Sequence, residues 1–328
     1  CFFVKSLHYF TLYLIVSFDY IKSFIVEFSL SLMKVAIVGA SGIGRYHAQW
    51  FYKEGCSIVA YTARNKENLA KAEDILKSLI PLKAKGYLDI KEMLAQEKPD
   101  IVVIATPPET HYDYCMSALE HGAHVFCEKP LIGDKKKSMQ QILDDSSSLI
   151  SMAERKKRIL GMNAQYPAAL QSYSELLEKI SVMPSMPSSF YFELESKGSG
   201  SRLSNDELWI DVASHPLSML LALMPKGNLD IKTIKSVSKE RLLQVNFIYR
   251  DINPCNVEII YRIVDSDKLI RRFGINNIIA EYEGKKDERG IYRSFLKYND
   301  VCVISDDFMH QSIRRFISAV KNNDKSKM

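Results

Sequence analysis

The sequence predicts an α/β domain built on a parallel sheet, followed by an α+β domain with a largely antiparallel open sheet. Three observations predict it. Short Val- and Ile-rich runs alternate with amphipathic stretches from Met33 to about Pro167, the pattern of a parallel sheet covered by helices. The first of these runs ends in a glycine-rich turn from which a helix starts. Beyond Pro167, strand-like runs follow one another with few helices between them, as an antiparallel sheet requires.

Taken in order, residues 34–39, 57–62, 100–105, 124–127 and 158–162 are expected as buried strands, because they are apolar and bounded by turn residues. Between them, 45–54, 66–79, 90–96, 112–120 and 136–157 carry apolar residues at helical spacing, and the serines at 146–148 leave the last stretch open to a break. In the second half, 189–194, 242–249 and 257–264 are expected as strands, and 205–224 and 309–321 as helices flanking their sheet. Gly, Pro and Ser cluster at 181–189 and 197–202, which read as loops, and no internal repeat is seen.

With 328 residues, 47% of them hydrophobic and 25% charged, the chain has material for two cores. The division expected is a first domain over 33–160 and a second over 161–328. Six cysteines are scattered without paired or Cys/His spacing, which indicates neither a disulfide framework nor a metal site and points to a reducing, cytoplasmic compartment. A formal charge of +5 is modest, and the basic runs at 135–137 and 155–158 lie in helix-like polar stretches. They read as solvated helix faces and not as a nucleic-acid footprint. Residues 1–32 begin with cysteine, and their longest uncharged run, from Ser6 to Phe18, is interrupted by His8. That run is shorter than the roughly 20 apolar residues a membrane span needs. The segment is expected to be translated upstream sequence and is set aside; no membrane partner is expected.

The chemistry begins at Val38-Gly39-Ala40-Ser41-Gly42-Ile43-Gly44. A dinucleotide fingerprint needs a tight turn, backbone N–H groups near a pyrophosphate and a helix N-terminus aimed at its charge. Gly39 and Gly44 hold the outer positions of G-x-G-x-x-G, Ser41 replaces the middle glycine, and Gly42 and Ile43 complete the turn. A purely structural turn would look similar, but the surrounding strand–helix–strand unit favours a Rossmann cofactor site. At the end of the second strand the acid that grips the ribose of NAD is missing. Thr62, Arg64, Asn65 and Lys66 stand there instead, groups suited to a 2′-phosphate, so NADP is favoured and NAD is the other candidate.

The stretch Asp100-Ile-Val-Val-Ile-Ala-Thr-Pro-Pro-Glu-Thr-His111, with Gly122-Ala-His-Val-Phe-Cys-Glu-Lys-Pro-Leu131, resembles the glucose–fructose oxidoreductase, inositol dehydrogenase and rhizopine-catabolism (Gfo/Idh/MocA) family. The likeness runs from Met33 to about Tyr166 and resumes at Trp209 to Leu221. It implies that Lys129 sits beside the nicotinamide, and that Ala105, Thr106, Pro107, His111 and Glu128 belong to the cofactor site. The residues read alone agree on Lys129: Pro130 biases it toward an extended conformation at a strand end, and an ammonium there can stabilise charge on a reacting oxygen. Trp209-Ile-Asp-Val-Ala-Ser-His-Pro is similar to the family's Asp-x-Gly-x-His segment, with Ala213 in place of glycine. If helical, it puts Asp211 and His215 on one face, His215 as a proton-exchanging group and Asp211 as its partner or a grip on substrate. Asn163 and Tyr166 are expected to bind substrate, although Gln165 and Ser218 depart from the family pattern. His47, His121 and His310 read as structural.

Together these residues imply hydride transfer between a nicotinamide cofactor and a secondary alcohol or ketone of a sugar, polyol or related small molecule. The family also holds a non-catalytic regulator and redox-neutral enzymes that reuse bound cofactor, so those readings stay open. The resemblance further implies a homo-oligomer joined through the open sheet.

Overall fold

The computed structural model describes residues 32–183, 185–198 and 205–324. The expectation for the leader, and most of the loop expected at 197–202, lie outside the described residues.

Strands β1 (Lys34–Val38), β2 (Ser57–Thr62), β3 (Lys85–Tyr87), β4 (Ile101–Ile104), β5 (His124–Glu128) and β6 (Leu160–Asn163) form one parallel sheet in the order β3-β2-β1-β4-β5-β6. Alternate residues of β1 and β4 serve two cores. Val35, Ile37, Ile101 and Val103 pack beneath α1 (Gly44–Lys53) and α2 (Lys66–Leu79), while Ala36, Val38, Val102 and Ile104 pack beneath α3 (Ile90–Glu97), α4 (His111–Glu120) and α5 (Met139–Arg155). Burial on both faces is why these strands read as continuous apolar runs. The strand order reverses between β1 and β4, so a crevice opens beyond their carboxyl ends, where such sheets bind ligands.

Several details differ from expectation. Strand β3 is a three-residue edge strand without an apolar run. Helix α5 runs unbroken, because the Ser146 and Ser147 hydroxyls donate to the Ile142 and Leu143 carbonyls one turn back at 2.7 and 2.8 Å. It starts later than expected, at Met139, where Ser138 and Gln141 form a reciprocal capping box. The division expected after residue 160 cuts through β6.

The second sheet has the order β14-β13-β12-β11-β7-β10-β9-β8. Its strands are β7 (Ser189–Lys197), β8 (Asn228–Lys239), β9 (Leu242–Arg250), β10 (Pro254–Val264), β11 (Arg271–Ile275), β12 (Ile278–Lys286), β13 (Tyr292–Tyr298) and β14 (Val301–Asp306). All neighbours are antiparallel except β7 and β10. Helices α6 (Ala169–Lys179), α7 (Asn205–Val212) and α8 (Ser214–Leu223) cover one face over a core that includes Phe190, Phe192, Tyr261 and Phe273.

The stretch expected as one helix over 205–224 is two. Pro216 has no N–H to give the Val212 carbonyl; a new helix begins at Ser214, which leaves the proline in its first turn, and the Val212 carbonyl accepts the Tyr261 hydroxyl at 3.1 Å instead. The final helix α9 (Phe308–Asn322) also departs from expectation. Its Met309, Ile313, Phe316, Ile317 and Ala319 join the core of the first domain beside α1, while Phe308 remains in the second. Its His310 stacks on Trp50 at 4.2 Å, and Glu54 takes His310 and Arg314 at 2.6 and 3.0 Å. The last helix therefore pins the two domains together. No helix among the described residues is long and apolar enough to cross a membrane.

Candidate active site

At the close of β1, Gly39 adopts φ +90°, and a Cβ there would lie 2.6 Å from the Ala105 carbonyl oxygen. Backbone meets backbone at the point where the sheet order reverses, and only glycine allows it. Gly44 is equally confined, since its Cβ would fall 2.3 Å from the Gly39 oxygen. Gly42 is different, because a Cβ there meets nothing within 4 Å. It lies exposed with Ser41 and Ile43, at the start of a helix without a side-chain cap. An uncapped helix start with open space before it fits a pyrophosphate.

The other cofactor candidates divide by their surroundings. Thr62 is buried at the end of β2, and Arg64 is exposed with neither a hydrogen bond nor an ion pair among the described residues. Asn65 caps α2, its Oδ1 accepting the Asn68 N–H at 2.9 Å, which explains it without a ligand. Ala105 donates its N–H to the Val38 carbonyl at 2.8 Å, and Thr106 and Pro107 lead into a short 3₁₀ turn. The Thr110 hydroxyl donates to Thr106 Oγ1 at 2.8 Å. His111 is fully buried, its Nδ1 and Nε2 each 2.8 Å from a backbone carbonyl, of Pro130 and Thr106 respectively. It ties the two loops at the strand ends together.

Glu128 is likewise buried. Its Oε1 lies 2.6 Å from His47 Nε2 and accepts Asn163 Nδ2 at 2.7 Å, and its Oε2 accepts the Lys129 N–H at 3.3 Å. Burial alone would raise its carboxyl, but His47, the Asn163 hydrogen bond and the Lys129 charge outweigh that and bring it to about 2. Glu128 thus holds the Lys129 backbone and Asn163 holds Glu128, while Asn163 Oδ1 is buried without a partner. His47, set aside as structural, completes this buried network from the helix that follows the glycine turn.

Lys129 reaches across to the second domain. Its Nζ donates to Asp211 Oδ1 at 2.7 Å and to the Asp211 carbonyl at 2.8 Å. Asp211 lies in the last turn of α7 and His215 in the first turn of α8, so the two are placed by the helix break and not by one continuous face. His215 is 8% exposed, and its Nδ1 is buried without a partner. Burial, followed by the charge of Lys129, depresses its imidazolium to about 4. Tyr166 packs 4.8 Å from the His215 ring and belongs to the second core, with burial pushing its hydroxyl up to about 12. Tyr166 therefore packs against His215. The structure brings Lys129, Asp211 and His215 together where the two domains meet.

The model of an oxidoreductase family with an NAD-binding Rossmann fold, Gfo/Idh/MocA, matches residues 33–164. The matched residues, 33–164, are similar to the NAD-binding domain of this family. An inositol 2-dehydrogenase of Saccharopolyspora erythraea is 33% identical over 116 residues, covering 34% of this chain and 32% of that protein. The matched stretches span about a third or less of the relatives' lengths. Among solved structures, myo-inositol dehydrogenase from Lactobacillus casei in complex with NAD(H) and myo-inositol has a TM-score of 0.66 at 14% identity, covering 89% of this chain and 87% of that one. KijD10, a 3-ketoreductase from Actinomadura kijaniata in complex with NADP, has a TM-score of 0.63 at 14% identity, covering 89% and 90%. At such identities the likeness is one of fold, and it extends through the second domain that the family model leaves unmatched.

Proposed function

We propose that the chain is an NAD(P)-dependent oxidoreductase acting on a secondary alcohol or ketone of a sugar, polyol or related small molecule. One observation carries this reading: the Lys129 ammonium, at the carboxyl end of a central Rossmann strand, meets Asp211 at 2.7 Å in the junction that also holds His215. A nicotinamide dinucleotide bound along the glycine turn supplies the hydride acceptor or donor. Gly39, Ser41, Gly42, Ile43 and Gly44 form the turn that would hold it, with Thr62 and Arg64 at the adenosine end and Ala105, Thr106 and Pro107 toward the nicotinamide.

The chain's own groups then divide the work. In oxidation the substrate hydroxyl gives its proton to His215, which is neutral at physiological pH because its imidazolium lies at about 4. Since Nδ1 is enclosed, Nε2 is the nitrogen that receives it. Lys129 donates a hydrogen bond to the same oxygen and stabilises the negative charge that develops there. Asp211 keeps that ammonium in place. In reduction the same groups return the proton.

The dehydrogenase and ketoreductase named above support the reaction class, and their cofactors, NAD(H) in one and NADP in the other, bracket the choice. Free thiols at Cys56, Cys115, Cys127, Cys255 and Cys302 accord with a reducing compartment. Exposed Ile231, Ile234, Val237 and Ile304 on β8 and β14 accord with self-association, which light scattering at micromolar concentration tests. The activity is tested by screening polyols, sugars and keto sugars for a change in reduced-cofactor absorbance, with Lys129→Ala as control. A substrate turned over equally fast by that variant overturns the mechanism; cofactor binding with no turnover of any substrate favours the regulator.

A further inference from the structure

Pleating sends alternate side chains of a strand to opposite faces. On β11, Phe273 is 1% exposed and its ring lies 6.2 Å from Tyr166, so Arg271, two residues earlier, shares the face that looks toward His215. Arg272 takes the opposite face and is matched there by Glu193 at 3.8 Å and Glu281 at 3.5 Å. Arg271 has no such match. Its Nε is buried without a partner, and its guanidinium makes neither a hydrogen bond nor an ion pair among the described residues. It lies instead over the Tyr282 ring, whose centroid is 5.9 Å from the guanidinium carbon. The Tyr282 ring lies 5.9 Å from that of Tyr166, which in turn lies 4.8 Å from that of His215. The Arg271 charge is felt at both Tyr166 and His215, lowering each.

A guanidinium partly withdrawn from water, with a buried Nε that no acceptor meets, is destabilising until an anion answers it. Its planar donors match a carboxylate or a phosphate in paired hydrogen bonds. The rings that lead from it to His215 offer no charge to answer it. We infer that Arg271 is an anion-recognition residue of the substrate site, and that the substrate carries a carboxylate or phosphate group besides its reacting hydroxyl. The anion site stands on the geometry of Arg271; its assignment to a substrate rests on the oxidoreductase reading above.

The test is calorimetric titration in the presence of saturating reduced cofactor, using matched pairs: D-glucuronate against D-glucose, D-glucose 6-phosphate against D-glucose, and myo-inositol 1-phosphate against myo-inositol. One anion is expected to bind about tenfold or more tightly than its neutral partner, since hydrogen bonds to charged groups have that effect. Arg271→Gln should remove the advantage and leave the neutral affinity unchanged, and Arg271→Lys should keep part of it. Which pair responds separates carboxylate from phosphate. Equal binding within every pair, or a preference that survives Arg271→Gln, overturns the inference. A preference that depends on Arg271 without any hydride transfer keeps the anion site and overturns the redox reading; turnover of neutral polyols with no anion preference does the reverse. Stability gives a second readout. Arg271→Met should leave the melting temperature of the cofactor-free protein unchanged or higher, and a fall of several degrees would mark Arg271 as structural and overturn the inference.

Discussion

Lys129 Nζ touches Asp211 twice, at 2.7 Å from Oδ1 and 2.8 Å from the carbonyl oxygen, so one ammonium ties the end of β5 to the end of α7. The Lys129 side chain is 19% exposed and that of Asp211 55%, which leaves the pair open to a bound molecule. Asp211→Asn keeps an oxygen for the lysine and removes its charge. The expected result is a fall in kcat of roughly tenfold, with a far larger loss, about 100-fold or more, for Lys129→Ala. Cofactor affinity, followed by fluorescence titration, should stay within about twofold for both if their part is chemical.

His215 makes stability depend on acidity in a defined window. Its value falls from 6.5 to about 4 on folding, through burial and the Lys129 charge, so between those values the unfolded chain binds more protons. Stability from this group is fully present above about 6.5 and is lost as pH falls toward 4. The loss can reach about 3 kcal/mol. Thermal melts at pH 7 and pH 4.5 should therefore diverge more for the wild type than for His215→Gln. His124 shifts in the same direction, so the difference between the two proteins, and not the wild-type curve alone, isolates His215. Equal divergence would show that His215 is not held neutral in the fold.

The two glycines of the turn should fail in different ways. Gly39→Ala forces a Cβ to within 2.6 Å of the Ala105 oxygen at φ +90°, and should lower stability by more than about 1 kcal/mol. Gly42→Ala adds a methyl to open space and should melt with the wild type, yet weaken cofactor binding about tenfold because it occupies the approach of the pyrophosphate. If both variants lose stability alike, the space before α1 belongs to the fold and not to a ligand.

The first domain was legible because its strands are buried on both faces and its helices on one. Thus β2 and α2 fall where their residues predict. The cap at Asn65 is a structural finding, since the sequence suggested that residue for the cofactor. The docking of α9 was not legible, since an amphipathic pattern reveals an apolar face and not which core receives it. The break at Ala213 carried a signal in Pro216, but a spacing of four between Asp211 and His215 read more simply as one helix. His47 and Glu128, 81 positions apart, meet only because α1 lies over β5. The sequence identified Glu128 by its motif and missed its buried partner His47. Arg271 had no motif, and its isolation shows only when every neighbouring charge has been paired.

Cofactor choice depends on groups already in place. No acid stands at the close of β2, so neither ribose hydroxyl of NAD has its usual carboxylate acceptor. Asn65 is engaged in capping α2, and Thr62 is buried, which leaves Arg64 and Lys66 as the exposed groups there. Arg64 has no partner among the described residues, so turning toward a 2′-phosphate breaks nothing, and its paired N–H donors suit that group better than an ammonium does. A charge-assisted hydrogen bond contributes about 1.5 to 3 kcal/mol. NADP should accordingly bind about tenfold or more tightly than NAD, and Arg64→Ala should erase most of the difference while leaving NAD affinity as it was. Calorimetric titration of both cofactors against both proteins measures this. Equal affinities in the wild type, or an NAD preference that the variant leaves unchanged, would mean that Arg64 points away from the crevice and that its exposure is that of an ordinary residue opening a helix.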